Sequence, residues 1–367
     1  MSVSDRDIDL ARRSLTLAAA GTGLVSPNPL VGCVITSVDG EVVGEGTYVY
    51  DEVTHAEAIA LEQAGERAAG GTAYVSLEPH SHHSKTAPCT DALLKAGIKR
   101  VVCPIEDPNP LVSGSGFQTL KDAGVEVEVG LLSEQASRLN ETFICWHQKK
   151  RPFVHLKLAT SIDGRISLSD SVSTALSGEA ARRRVQSLRH QYDAILIGGN
   201  TAAVDDPLLT DRSGKPRRRP LVRVVLDNRL RLPIGSRLVS TAEEFPVIVF
   251  TNNRESKKIT DLRDRGVEVI ELEMGGRDLS GILHELKTRD LQSLLVEGGS
   301  EVAGSFCDER LVDKLTFIAA PIVIGGREAP GAIGGAGAVS LSEALNISDI
   351  SVEKLGDDME ITGYPAR

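Results

Sequence analysis

Apolar residues recur at roughly helical spacing near the start of the chain, where Ile8, Leu10, Ala11, Leu15 and Leu17 follow a Ser4/Asp7 pair that resembles a capping box. Gly21 and Gly23 close this run, so the pattern predicts a first helix. Beyond it the apolar runs shorten. They predict strands at Val31 to Thr36, around Val42 and Val43, at Ala73 to Leu77 and at Arg100 to Pro104, with a turn at Asp39-Gly40. Helices are expected from His55 to about Ala69 and from Thr90 to Ala96. Strands alternating with helices predict a three-layer α/β domain.

The run Gln148-Lys149-Lys150-Arg151-Pro152 is basic, ends in proline and precedes a new strand, Phe153 to Ala159. It marks the expected boundary between domains spanning 1–148 and 149–367, and 367 residues suit two cores rather than one. The second part repeats the alternation. A helix is expected at Gly178 to Arg189, strands at Ala194 to Ile197, Leu221 to Leu226 and Val247 to Phe250, a helix at Ile282 to Lys287 and a strand at Leu294 to Val296. Lys215-Pro216-Arg217-Arg218-Arg219-Pro220 reads as a solvated loop.

Composition removes several classes. Glycine and proline are spread along the chain without a low-complexity tract, which excludes a collagen-like repeat or a long disordered segment. The segment Met1 to Asp7 is polar and acidic, unlike a secretory leader, and no apolar stretch has the length of a membrane span, so a cytoplasmic protein is expected. Five widely spaced cysteines without a CxxC argue against a disulfide scaffold and leave a ligand role open. The first 150 residues carry 12 Lys or Arg against 20 Asp or Glu. A nucleic-acid-binding domain needs the opposite balance, and the low aromatic content opposes base stacking, so a small-molecule substrate is expected.

Four of the eight histidines fall between residues 55 and 83. His55-Ala56-Glu57 opens a predicted helix, Glu78-Pro79-His80 ends a strand and Cys89 begins the next helix. A zinc-dependent deaminase needs three protein ligands, a metal-activated water and a carboxylate, two residues from the histidine ligand, that shuttles protons without touching the metal. His55, His80 and Cys89 fit the ligands and Glu57 the shuttle. His-x-Glu alone is a common surface coincidence; its conjunction with Pro79-His80 and Pro88-Cys89 carries the reading.

These residues resemble a known family. Asn28-Pro29-Leu30-Val31-Gly32-Cys33-Val34, His55-Ala56-Glu57 and the stretch from Leu77 to Cys89 are similar to the deaminase half of the bifunctional RibD family of riboflavin biosynthesis, and the similarity continues through Asp107-Pro108-Asn109-Pro110. The resemblance implies a cytidine-deaminase-like fold, bound Zn2+, and a phosphoribosylated pyrimidine held by Asn28, His82, Lys85, Asp107 and Asn109. The chain departs from the family pattern at His80, where cysteine is usual, at Tyr48, where histidine is usual, and at Ser84 and Ala87, where glycine and proline are usual.

In the second part, Glu297-Gly298-Gly299-Ser300 follows a strand and opens a helix, which aims backbone N–H groups at an anion. It lacks the GxGxxG of a Rossmann dinucleotide site. Lys157 to Arg165, Asp193 to Gly198 with Thr201, and Asp205 to Arg212 resemble the family's reductase half. That half implies a dihydrofolate-reductase-like fold and NADPH contacted by Ala159, Thr201, Asp205, Gly299, Ser300, Gly304 and Ser305. Lys157, Ser173, Arg189, Leu209, Arg212 and Glu297 are then expected to meet the substrate, with Lys157 and Glu297 as alternatives for proton transfer. Ala175 and Ser177 stand where the family has tryptophan and threonine. The resemblance implies a deaminase that acts on 2,5-diamino-6-(5-phosphoribosylamino)pyrimidin-4-one, joined to a reductase that converts the ribosyl group to ribityl, in a homodimer or homotetramer. A reductase carrying an inactive first domain is the alternative, resting on His80 and Tyr48.

Overall fold

The computed structural model describes residues 4–50, 54–82, 87–110, 112–169, 171–172 and 174–366. The chain forms two compact units, 1–151 and 152–367. The last helix of the first unit runs to Lys149, so the division falls after Arg151 rather than after residue 148.

The first unit contains α1 (Asp5–Ala20), β1 (Gly32–Thr36), β2 (Val42–Thr47), α2 (Ala56–Ala64), β3 (Thr72–Val75), α3 (Cys89–Lys95), β4 (Arg100–Cys103), α4 (Ser115–Asp122), β5 (Glu126–Val129), α5 (Ser133–Leu139) and α6 (Glu141–Lys149). Its sheet has the order β2-β1-β3-β4-β5, with β1 antiparallel to both neighbours and β3, β4 and β5 parallel. The central strands are buried on both faces, which explains their near-continuous apolar runs. Cys33, Ile35, Ala73, Val75 and Val101 face the layer containing α2 and α4, whereas Val34, Tyr74 and Val102 pack with Leu10 and Ala11 of α1.

The Ser4/Asp7 capping box is formed, and Asp7 also receives hydrogen bonds from Tyr74 Oη and Arg100 Nη1, both at 2.7 Å. Burial alone would raise its pKa, but these donors hold the carboxyl well below the usual range. Helix α2 ends five residues before the expected Ala69, because Gly65 turns left-handed (φ +55°) and the chain tightens into a 3-10 turn.

The second unit contains β6 (Phe153–Ser161), α7 (Glu179–Gln191), β7 (Ala194–Gly198), α8 (Gly199–Asp205), β8 (Val222–Leu226), α9 (Arg237–Ser240), β9 (Val247–Thr251), α10 (Ser256–Arg263), β10 (Val267–Glu271), α11 (Leu279–Thr288), β11 (Ser293–Val296), α12 (Ser300–Asp308), β12 (Lys314–Ala320), β13 (Ile347–Leu355) and β14 (Asp358–Pro365). Its nine-stranded sheet has the order β10-β9-β8-β7-β11-β6-β12-β14-β13, parallel as far as β12 and antiparallel in the final two pairings. Leu156, Leu196, Val224 and Leu294 pack beneath α11 and α12, while Ile195, Val225 and Val249 pack beneath α9 and α10.

The basic run at 215–220 is not simply solvated. Arg217 donates to the carbonyls of Arg189 (2.9 Å), His190 (3.3 Å) and Tyr192 (2.8 Å), and Arg219 pairs with Asp193 at 3.1 Å. A cation on the open carbonyls at the end of α7 satisfies both their hydrogen bonding and the helix dipole.

Candidate functional sites in the two units

The first site is built by a close approach of helix to strand. A Cβ on Gly44 would stand 2.0 Å from the Ala60 carbonyl oxygen, and one on Gly46 would stand 2.1 Å from that of Ala56. With no side chains there, and with Ala56, Ala60 and Ala64 on its buried face, α2 rides directly on β2. This seats His55 as the N-cap of α2 and buries Glu57 in its first turn at 2% exposure. His80 follows β3 and Cys89 opens α3, with the Thr90 N–H donating to the His80 carbonyl at 3.3 Å.

One potential ligand atom from each of His55, His80 and Cys89 lies within 4.8 Å of the other two. The His55 and His80 ring centroids are 4.5 Å apart. His80 Nε2 and Glu57 Oε2 are buried and have no hydrogen-bond partner among the described residues. Burial, with the charges of His55 and His82, pushes His80 down to about 4, leaving at neutral pH the neutral imidazole that a metal requires. Burial and the adjacent Glu57 push the Cys89 thiol far above its usual value, so a neighbouring cation is needed to make it a thiolate. Two imidazoles, that of His80 with its Nε2 unpartnered, and a thiol that a cation would ionise fit zinc, and Glu57 stands outside the ligand set with one oxygen unpartnered.

Around this cluster, Asn28 Nδ2 donates to Tyr48 Oη at 2.5 Å, and the Tyr48 ring lies 5.4 Å from that of His55. The exposed His82 ring lies 5.4 Å from that of His80. Asp107 accepts from the Asn109 N–H at 2.8 Å. Burial and the nearby Glu78 carboxylate push Asp107 up to about 6, against the lowering effects of Asn109 and His82. Lys85 and Ser84 lie outside the described residues. Sequence reasoning gave Tyr48 no role of its own, because its contact with Asn28 depends on the register of β1 and β2.

The second site is a cleft of about 1270 Å³ at the carboxyl ends of β6, β7, β8 and β11, where open α/β sheets bind ligands. Lys157, Ala159, Thr201, Asp205, Glu297, Gly299, Ser300 and Ser305 line it. Two glycine pairs at helix starts form its cradle. A Cβ on Gly199 would meet Asp227 Oδ1 at 2.5 Å, and one on Gly298 would meet Val302 at 2.7 Å. The bare backbone at the α8 and α12 N-termini, together with a volume above the roughly 300–1,000 Å³ of ordinary small-molecule clefts, suits a phosphate-bearing dinucleotide.

Lys157 Nζ lies 3.3 Å from Glu297 Oε2, and burial, which would raise the Glu297 pKa, is overcome by Lys157 and Arg189, which hold it at about 2. Other expected residues sit elsewhere. Arg189 is behind Glu297 rather than on the cleft wall. Leu209 is 4% exposed in the core, Arg212 is exposed, and Gly304 lets α12 pack on Gly334, whose carbonyl carbon a Cβ would approach to 2.3 Å. Ser173 lies outside the described residues. Ala175 and Ser177 are not among the lining residues, although Thr174 is. Asn228, Arg229, Arg231 and Arg277 line the cleft and had no assigned role; the polar run directly after the strand ending at Leu226 was the available signal.

A metal-ready cluster in a cytidine-deaminase-like unit and a cofactor-sized cleft in a reductase-like unit define a two-domain deaminase–reductase. Residues 5–105 match the cytidine and deoxycytidylate deaminase zinc-binding region, and residues 152–361 match the RibD C-terminal domain. The chain belongs to the RibD family. It is 41% identical to the riboflavin biosynthesis protein RibD of Actinobacillus pleuropneumoniae over 96% of this chain and 94% of that one. It is 39% identical to that of Aquifex aeolicus over 98% of each. Among solved structures it is similar to RibD of Acinetobacter baumannii (TM-score 0.86, 35% identity, 99% of each chain). It is also similar to the diaminohydroxyphosphoribosylaminopyrimidine deaminase/5-amino-6-(5-phosphoribosylamino)uracil reductase of Thermotoga maritima (TM-score 0.85, 35% identity, 98% of each chain).

Proposed function

We propose that the protein is a bifunctional enzyme of riboflavin biosynthesis. The first unit hydrolytically deaminates 2,5-diamino-6-(5-phosphoribosylamino)pyrimidin-4-one, and the second reduces the ribosyl side chain of the product to ribityl with NADPH. The observation that carries the first half is the meeting of His55, His80 and Cys89 donor atoms beside a buried, unpartnered Glu57 oxygen.

Zinc, when bound by those three residues, supplies a Lewis acid that makes water nucleophilic near neutral pH. Glu57 takes the proton released from the attacking water at Oε2 and returns it to the departing amine. Asn28, fixed by Tyr48, orients the pyrimidine, and His82, Lys85, Asp107 and Asn109 hold the rest of the substrate. Since Tyr48 and His80 both take part in this arrangement, the reading in which the first domain is inactive is not favoured.

In the second unit, NADPH supplies the hydride, with Ala159, Thr201, Asp205, Gly299, Ser300 and Ser305 holding it. Glu297 stays ionised at neutral pH, so it has no proton to give. Lys157 Nζ gives the proton to the sugar oxygen released as the ring opens. Arg189 acts on the substrate side through Glu297, and the family resemblance adds Ser173; Leu209, buried in the core, and Arg212, which does not line the cleft, are given no substrate contact.

None of the five cysteines is in a disulfide, in keeping with a cytoplasmic setting. Ile350 and Val352 on the terminal strand β13 are about 60% exposed and support a homo-oligomer. No helix among the described residues is long and apolar enough to cross a membrane. The function is tested by Glu57→Gln, which removes ammonia release and spares NADPH oxidation with the deaminated substrate. Loss of both activities contradicts separate sites.

A further inference from the structure

Glu78 is 3% exposed, and its carboxylate faces no cation within hydrogen-bond distance among the described residues. It is occupied by backbone. Oε2 accepts from the N–H groups of Asp107 (3.0 Å) and Gly114 (2.9 Å), and Oε1 accepts from those of Gly116 (2.8 Å) and Phe117 (3.3 Å). Gly114 is the N-cap residue of α4 and has no capping side chain, so the open donors of the first turn are satisfied from a distant strand end. The Glu78 N–H also donates to the Ile105 carbonyl at 3.2 Å, and Ser81 Oγ lies 2.9 Å from Ser115 Oγ. Gly116 fits this seam because it lacks a Cβ, which would stand 2.0 Å from the Pro79 carbonyl oxygen.

We propose that Glu78 is a positioning residue for deamination. It ties the segment that carries Asp107 and Asn109, together with the start of α4, to the chain following the end of β3, which carries His80 two residues further on. The metal side and the substrate side of the site are thereby held in one register by a single buried carboxylate. This inference rests on the deaminase reading of the first unit. Glutamine in its place has one acceptor oxygen for four N–H donors and turns an NH2 group toward two of them. That segment loses its register while His55, His80 and Cys89 keep their own supports on α2 and α3.

The test uses the full chain loaded with zinc, with turnover stopped by Glu57→Gln, and measures affinity for the diaminopyrimidinone phosphoriboside by calorimetry with and without Glu78→Gln. Removal of partners that orient a site typically costs 10- to 100-fold. The expected result is an affinity loss of about that size, with zinc content unchanged and NADPH oxidation by the second unit intact as a folding control. Equal affinities overturn the proposal, as does a loss fully accounted for by lost zinc. If Glu78→Gln does not fold, Gly116→Ala presses on the same seam and must show the same affinity loss; unchanged affinity there overturns it. Failure of the deaminase reading is seen separately, as absence of ammonia release from the unsubstituted enzyme.

Discussion

Arg189 meets Glu297 through two hydrogen bonds, Nε to Oε1 and Nη2 to Oε2, each 3.0 Å long. Lys157 approaches the same carboxylate at 3.3 Å, so one anion compensates two cations that are each nearly buried. Glu297→Gln leaves both cations underpaired in a low-dielectric site, a change that costs about 3–5 kcal/mol. Urea unfolding of the second unit should report a loss of that size together with loss of NADPH oxidation, while ammonia release persists.

The same carboxylate sets a pH dependence. Its folded pKa of about 2 lies below the usual 4.5, so the native state holds it ionised where the unfolded chain begins to bind a proton. Its contribution is therefore fully present above about pH 4.5 and is lost as the pH falls toward 2. An acid titration of the second unit's unfolding should show this decline, and Glu297→Gln should remove that part of it.

Gly46→Ala places a methyl group 2.1 Å from the Ala56 carbonyl oxygen and lifts the first turn of α2 from β2. His55 and Glu57 move with that turn. Zinc content measured by atomic absorption should fall well below one per chain and ammonia release with it, while NADPH oxidation stays at the wild-type rate.

Tyr48→Phe removes the acceptor that fixes the Asn28 side-chain amide. A hydrogen bond of this kind is worth about 0.5–1.5 kcal/mol, or roughly 2- to 10-fold. Steady-state ammonia release should show KM raised by that factor with zinc content unchanged. An unchanged KM would remove Tyr48 from the substrate side of the site.

Much of this arrangement was legible in the chain, and the reasons for the exceptions are physical. Strands buried on both faces, such as β1, β7 and β9, announce themselves as apolar runs, and α1 carries its own capping box. Strand β13 does not, because nearly all of it is exposed and its sequence is polar; only its pairing with β14 makes it a strand. Helix α4 lacked a local cap signal because its cap, Glu78, is supplied from elsewhere in the sequence. The metal-site residues were readable because helix starts and a strand end place them. The seating of α2 on Gly44 and Gly46, and the position of Arg189 behind Glu297, depend on tertiary packing that no local pattern encodes.

Arg223 illustrates the same limit. It is fully buried on β8, and its guanidinium donates to the carbonyls of Leu208 (3.1 Å), Leu238 (3.3 Å), Thr241 (3.1 Å) and Phe245. Arg223→Met strands these acceptors, each costing about 1–3 kcal/mol when left unpaired. Thermal unfolding should show the second unit strongly destabilised and the first unaffected.

Deamination at the His55, His80 and Cys89 cluster is measured as ammonia release from the diaminopyrimidinone phosphoriboside by zinc-loaded protein with NADPH omitted. One ammonia per pyrimidine consumed is expected, abolished by zinc chelation. No ammonia from zinc-loaded protein that still oxidises NADPH with the deaminated substrate would contradict it and leave a reductase joined to an inactive first domain.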